Sequence, residues 1–295
     1  MAACSLTSSS RRSYAAAMLK LQVFASLVAV PHWFPSSLAL LLAFIPYLVD
    51  LRLAHATIRS MFSAISFYHL FYGHSDPTTH FLIKKALLFD AKRRPASDSR
   101  LPVTPHILQQ LLLAVEQVFL SPRNVALYQS LFTLMFFAFL RMSEVASGPH
   151  TLHLRHVTWS SKSLTIAFPS YKHSRGPLPS IVLYATASHL CPVRAFLRYI
   201  SFRSMAPGPL FMDVSGLPLT SSAISQSLKT CLAFAGYSSL PITSHSFRIG
   251  AASWAAANGH SSERIRLMGR WKSDAFRKYI RIPSISLHSH VLDPR

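Results

Sequence analysis

HSFRIGAASWAAANGHSSERIRLMGRWKSDAFRKYIR, running from His245 to Arg281, is the stretch on which the fold turns. The small residues after Gly250 predict a closely packed helix over Phe247 to Asn258, and two shorter helices are expected over Ser261 to Met268 and Asp274 to Ile280. His245 and Arg248 stand three apart, so one helical turn carries both on one face. Thr243 or Ser244 is placed to cap that turn, and helix N-termini attract phosphate. Tyr279 reads first as an aromatic of an amphipathic helix. Its neighbours Arg277, Lys278 and Arg281 add a second meaning, since nearby cations favour a phenolate.

Two stretches upstream carry chemistry of the same kind. In LRMSEV (Leu140 to Val145) Arg141 closes an apolar helix read over Asn124 to Arg141, where a cation is favoured by the helix dipole alone. Glu144, three residues on, is placed to hold a buried guanidinium if the helix continues. In SYKHSRG (Ser170 to Gly176) Lys172 sits in a loop between short β-like runs, Ser163 to Phe168 and Ile181 to Tyr184. Composition alone makes it a solvated loop lysine; chemistry makes it a flexible proton donor. Trp271, taken singly, reads as core. Arg141, Lys172, His245 and Arg248 together supply positive charge and protons, and Tyr279 supplies an oxygen able to attack phosphorus. No metal is needed for such a set.

In order and spacing these motifs resemble the tyrosine recombinase (phage integrase) family, and the segment around FRKYIR is most similar to recombinases of DIRS-type retrotransposons. The resemblance spans residues 104 to 283 and extends weakly over the first hundred. GRW (Gly269 to Trp271) departs from the Leu-Gly-His of many bacterial members, but tryptophan is an accepted alternative at that position. The resemblance implies that Tyr279 attacks the scissile phosphodiester and becomes joined to the 3′ phosphate. Arg141 and Arg248 would stabilise the nonbridging oxygens, with Glu144 in support. Lys172 would protonate the leaving 5′ oxygen, His245 would assist proton transfer and Trp271 would position the phosphate. It further implies no cofactor or metal, double-stranded DNA as partner, a homotetramer on DNA, and action in the nucleus if the source is a eukaryotic mobile element. A catalytically inactive DNA-binding remnant of such an element is the alternative.

Composition agrees with a polyanionic partner. Thirty Lys and Arg stand against 10 Asp and Glu, a formal charge of +20, in a chain whose residues are half hydrophobic. That excess is beyond what solubility requires and points to nucleic acid. The acids of the catalytic half stand apart, whereas metal-dependent integrase chemistry needs clustered carboxylates. A stretch from Leu21 to Val49 is uncharged, but Pro31, His32, Pro35 and Pro46 interrupt it, so no membrane span is expected. Three cysteines without metal spacing or an even set suit a reducing compartment.

The expected fold class is mainly α. Residues 1–94 form an N-terminal four-helix core-binding domain, with helices over Tyr14 to Val30, Ser37 to Leu48, Ala56 to Tyr72 and Pro77 to Phe89. Residues 95–104 are a polar, proline-flanked linker. Residues 105–295 form a mostly α catalytic domain with a small antiparallel β-sheet. Lys84, Lys85, Lys92, Arg93 and Arg94 are the expected phosphate contacts of the first domain.

Overall fold

The computed structural model describes residues 6–94, 98–169 and 180–281. The chain divides into two compact units, Met1–Asp98 and Ser99–Arg295, and the division falls inside the stretch read as a linker.

The first unit holds four helices: α1 (Ser8–Leu27), α2 (Leu38–Asp50), α3 (His55–Phe71) and α4 (Phe81–Arg93). Thr7 and Ser37 cap the first two by accepting backbone N–H bonds from Ser10 and Leu40. Leu21, Leu41, Phe44, Leu48, Ile58 and Ile65 form a sealed apolar core. No described helix is long and apolar enough to cross a membrane. The helix expected from Pro77 starts later. Asp76 closes a 3-10 turn over Pro77–Thr79 by accepting from Thr78, and His80 then caps α4 afresh through Leu82. At the far end of α4 the buried Asp90 carboxylate accepts from Arg94 Nε at 2.7 Å and pairs with His55 Nδ1 at 2.9 Å. Burial raises the Asp90 pKa, but the His55 and Arg94 hydrogen bonds outweigh it and hold the carboxyl below its ordinary value.

The second unit is built around α5 (Pro105–Val118) and α6 (Pro122–Phe137), the latter buried along most of its length. After α7 (Met142–Val145) come β1 (Val157–Trp159), β2 (Ser163–Ala167) and β3 (Ser180–Tyr184), an antiparallel sheet in the order β1-β2-β3. Its register pairs Val157 with Ile166 and Thr165 with Val182. Strand β1 was not expected, being three residues long with a polar centre. Helices α8 (Pro192–Ile200), α9 (Ser221–Phe234), α10 (Ser246–Ala257) and α11 (Ser262–Met268) follow, then a 3-10 helix over Asp274–Tyr279. The fold class is therefore mainly α with a small antiparallel sheet.

The second half of the expected linker is not free chain. Leu101 donates its N–H to the Pro241 carbonyl at 3.1 Å and Val103 to the Ser246 carbonyl at 3.0 Å, and the Val103 side chain is fully buried. This strap explains Gly250, where a Cβ would lie 1.8 Å from the Val103 carbonyl oxygen. Backbone cannot yield as a flexible side chain can. Gly250→Ala is expected to destabilise the protein by about 1–3 kcal/mol, read as a lowered denaturant midpoint at unchanged slope. A loss below a few tenths would mean that the strap lifts freely.

Candidate active site

The segment between α6 and α7 sets the floor of the site. The apolar helix stops at Phe137 rather than continuing to Arg141, because Phe139 takes a left-handed backbone conformation with φ 51°. Arg141 is thus the residue before α7, not the end of a long helix, and the dipole no longer favours it. Glu144 compensates. Its carboxylate accepts from the Arg141 backbone N–H at 2.8 Å and from Arg141 Nη1 at 3.1 Å. Glu144 is 1% exposed and holds a second guanidinium, Arg270 Nη2, at 2.7 Å.

Arg270 was not anticipated. It is buried, has a left-handed φ of 54°, and donates to the carbonyls of Ala138, Phe139 and Met268 while lying 3.8 Å above the Phe168 ring. Nothing local in GRW marks it; its carboxylate partner is 126 residues away. The one clue was Glu144, an isolated acid in an apolar, basic context.

Arg248 comes to the same floor from α10. Its guanidinium donates to the Phe139 carbonyl and, at 2.8 Å, to that of Gly269, whose oxygen also accepts from Arg141 Nη2 at 3.1 Å. Burial, and then the Arg141 and Arg270 charges, push the Arg248 guanidinium well below its usual range, with Glu144 and Tyr279 partly offsetting them. Arg141 and Arg270 therefore share the Glu144 carboxylate while Arg248 lies close enough to feel both cations, and the gathered positive charge suits an anion. Arg248 also stacks on Trp271, 4.5 Å from the ring centre. The indole can lie there because Gly269 has no side chain, as a Cβ at that position would stand 1.6 Å from the indole ring.

His245 stands immediately before α10 in the cap position, and its side chain makes no capping hydrogen bond. The expected cap from Thr243 or Ser244 is absent; the Ser246 hydroxyl instead accepts from the Thr243 N–H at 3.0 Å. The His245 ring centre lies 4.9 Å from that of Tyr279, and the Trp271 ring centre lies 5.3 Å from it. Two of the cations adjacent to Tyr279 in sequence have other partners. Arg277 pairs with Asp274 at 3.6 Å, and Arg281 donates to the Lys278 carbonyl at 2.8 Å. Arg248, on α10, lies close enough to Tyr279 for the two to interact electrostatically, and Arg141, Arg270 and Lys272 line the same pocket.

Arg141, His245, Arg248, Arg270, Trp271 and Tyr279 line one open pocket of about 500 Å³. Five of the six residues expected to act together are thus brought together, with Glu144 beneath them. Lys172, the sixth, lies outside the described residues. Among the described residues no group of three or more His, Cys, Asp or Glu could hold a metal ion. In the first unit Lys84, Lys85, Lys92 and Arg93 stand exposed on α4, whereas Arg94 straps α4 to the chain before α3 through Asp90 and the Leu53 carbonyl.

No protein-family model matches the chain, and no curated protein matches it in sequence. Solved structures do match. One is the XerH site-specific recombinase bound to a palindromic difH substrate in a post-cleavage complex, 17% identical over 94% of this chain and 78% of that one, with a TM-score of 0.69. Another is the Tn1549 transposon integrase in complex with transposon right end DNA, 13% identical over 95% and 91%, with a TM-score of 0.66. A third is a lambda integrase dimer bound to a COC′ core site, 14% identical over 94% and 72%, also at 0.66. At these identities the likeness is one of fold, and it covers both units: the chain has the fold of the site-specific tyrosine recombinases.

Proposed function

We propose that the protein is a DNA strand transferase that cuts and rejoins DNA through a 3′-phosphotyrosyl intermediate, recombining or integrating the DNA of a mobile element of the DIRS retrotransposon type. The observation that carries this reading is the convergence of Arg141, Arg248, His245, Trp271 and Tyr279 on one pocket with a surplus of positive charge. Arg141 and Arg248 hold the nonbridging oxygens, and Trp271 backs Arg248. The Tyr279 oxygen attacks phosphorus as the P–O5′ bond breaks. Lys172 delivers a proton to the departing 5′ oxygen, and His245 relays the phenol proton. A 5′ hydroxyl of a second strand then reverses these steps, so the bond energy is conserved in the phosphotyrosine. Such exchange requires several copies of the chain on DNA, and in a eukaryotic host it takes place in the nucleus.

The test is covalent capture. A nicked suicide duplex carrying the cognate site is expected to trap the protein as an adduct that survives boiling in detergent. Salt-dependent duplex binding without any adduct would instead favour the inactive DNA-binding remnant.

The first unit is proposed to follow the phosphate backbone with Lys84, Lys85, Lys92 and Arg93. Each phosphate neutralised contributes about 0.9 to the slope of log affinity against log salt. Replacing Lys92 and Arg93 by alanine is expected to weaken binding to all duplexes alike and to flatten that slope, in a salt titration of fluorescence anisotropy. Arg94→Ala should leave the slope unchanged and lower stability instead, because Arg94 is engaged with Asp90. A slope unaffected by the Lys92 and Arg93 changes would remove this end of α4 from the interface.

A further inference from the structure

The strand-transfer reading needs the Tyr279 oxygen in line with a P–O5′ bond, yet the backbone that carries it is weakly self-supporting. Tyr279 ends a six-residue 3-10 helix, a form with poor hydrogen-bond geometry, and the next bond along is a single Ile280 N–H to Arg277 carbonyl contact at 3.2 Å. The position of the tyrosine is therefore taken from tertiary partners.

We infer that Ser253 is a positioning residue that pins the nucleophile-bearing segment to α10; this rests on the strand-transfer reading. Ser253 lies on the helix whose N-terminal end carries His245 and Arg248, and it is not among the residues lining the pocket. Its hydroxyl accepts from the Arg281 backbone N–H at 2.8 Å. The same oxygen stands 3.2 Å from the Tyr279 carbonyl and 2.8 Å from the Ile249 carbonyl. A hydroxyl has one proton to give. It goes to Ile249, the back-bond usual for serine in a helix, or to Tyr279, and in both cases a lone pair remains for Arg281. One side chain thus reaches the backbone at Tyr279 and two residues beyond it, and ties both to the helix bearing the phosphate-binding arginine. The consequence is kinetic: a displacement of about 1 Å between reacting groups can cost about 100-fold in rate.

Ser253→Ala removes the acceptor and leaves every pocket-lining side chain in place. The experiment pairs two readouts on the full chain. Backbone hydrogen exchange at Arg281 reports the clip, and the single-turnover rate of adduct formation on the suicide duplex, at saturating DNA, reports the catalytic consequence. Exchange at Arg281 is expected to quicken and the rate to fall by about tenfold or more, with duplex affinity within about twofold of wild type. A bridging 5′-thiolate should not restore the rate, since the defect lies with the nucleophile and not the leaving group. Ser253→Thr, which keeps the hydroxyl, should recover protection and rate together. Ser253→Cys, a weaker acceptor, should fall between, and it serves if the alanine variant does not fold.

Unchanged exchange at Arg281 would overturn the clip whatever the catalysis does. Faster exchange with an unchanged adduct rate would overturn the positioning role. Absence of adduct from the wild-type protein would defeat the strand-transfer reading and the positioning role with it, while the exchange data would still judge the clip.

Discussion

Tyr279→Phe is expected to abolish covalent capture on the suicide duplex while the protein still folds and still binds DNA. Phenylalanine keeps the ring that packs between His245 and Trp271, and it keeps the backbone carbonyl near Ser253; only the attacking oxygen is lost. Duplex affinity should therefore stay within about 1 kcal/mol of wild type. The loss of adduct should be complete, since Tyr279 supplies the phenol among the described residues lining the pocket, and an adduct that survived would point to one of the lining hydroxyls of Ser143, Ser244 or Ser273. Two further variants separate the roles around it. A bridging 5′-thiolate departs without a proton, so it should rescue Lys172→Ala but not Arg248→Ala, whose defect is lost charge stabilisation. An adduct from Tyr279→Phe would assign the nucleophile elsewhere. It would not be Tyr199, which is fully buried with its hydroxyl donating to the Leu210 carbonyl and accepting from Met212 N–H.

Glu144→Ala should produce the largest loss of stability in the second unit. The carboxylate is 1% exposed and is the acidic partner of Arg141 and Arg270. Truncation takes the Glu144 carboxylate away from the buried Arg270 guanidinium, which also lies against the Ala138, Phe139 and Met268 carbonyls. Breaking a buried pair from one side costs about 3–5 kcal/mol. A urea titration followed by circular dichroism checks this, and a loss below about 1 kcal/mol would show that the floor relaxes or admits water. Glu144→Gln keeps an acceptor oxygen but drops the charge, so a smaller loss is expected. Its adduct rate should still fall, because Arg141 and Arg270 would repel Arg248 with no carboxylate to moderate them.

Much of the fold is legible in the amino-acid sequence, for reasons that differ by element. Helix α10, expected over Phe247 to Asn258, spans Ser246–Ala257, because a run of small residues between polar ends gives both a packing face and its limits. The apolar pattern of α6 runs on to Arg141, whereas the helix itself stops at Phe137. Ala138, Phe139 and Leu140 are as apolar and as buried as the helix before them, so hydrophobicity carries no stop signal there. What ends the helix is the left-handed Phe139, whose carbonyl receives Arg248 and Arg270 from distant parts of the chain. The linker is shorter than its composition implies for a similar reason: polar, proline-flanked residues hide that Val103 is buried beside Gly250.

The sequence by itself determined the mainly helical class, the cationic surplus, and the residue types from which a metal-free phosphoryl-transfer site can be built. These are properties of composition and of local periodicity, and side-chain burial within one helix leaves them written in neighbouring residues. Only the tertiary structure decided that Arg270 shares Glu144 with Arg141, that Gly269 clears room for Trp271 beneath Arg248, and that Ser253 holds the segment of Tyr279. Each of these depends on one carbonyl, carboxylate or hydroxyl meeting a group far along the chain. Such a meeting leaves no period in the sequence, because its energy resides in the geometry that the packed helices impose and not in the propensities of the residues on either side.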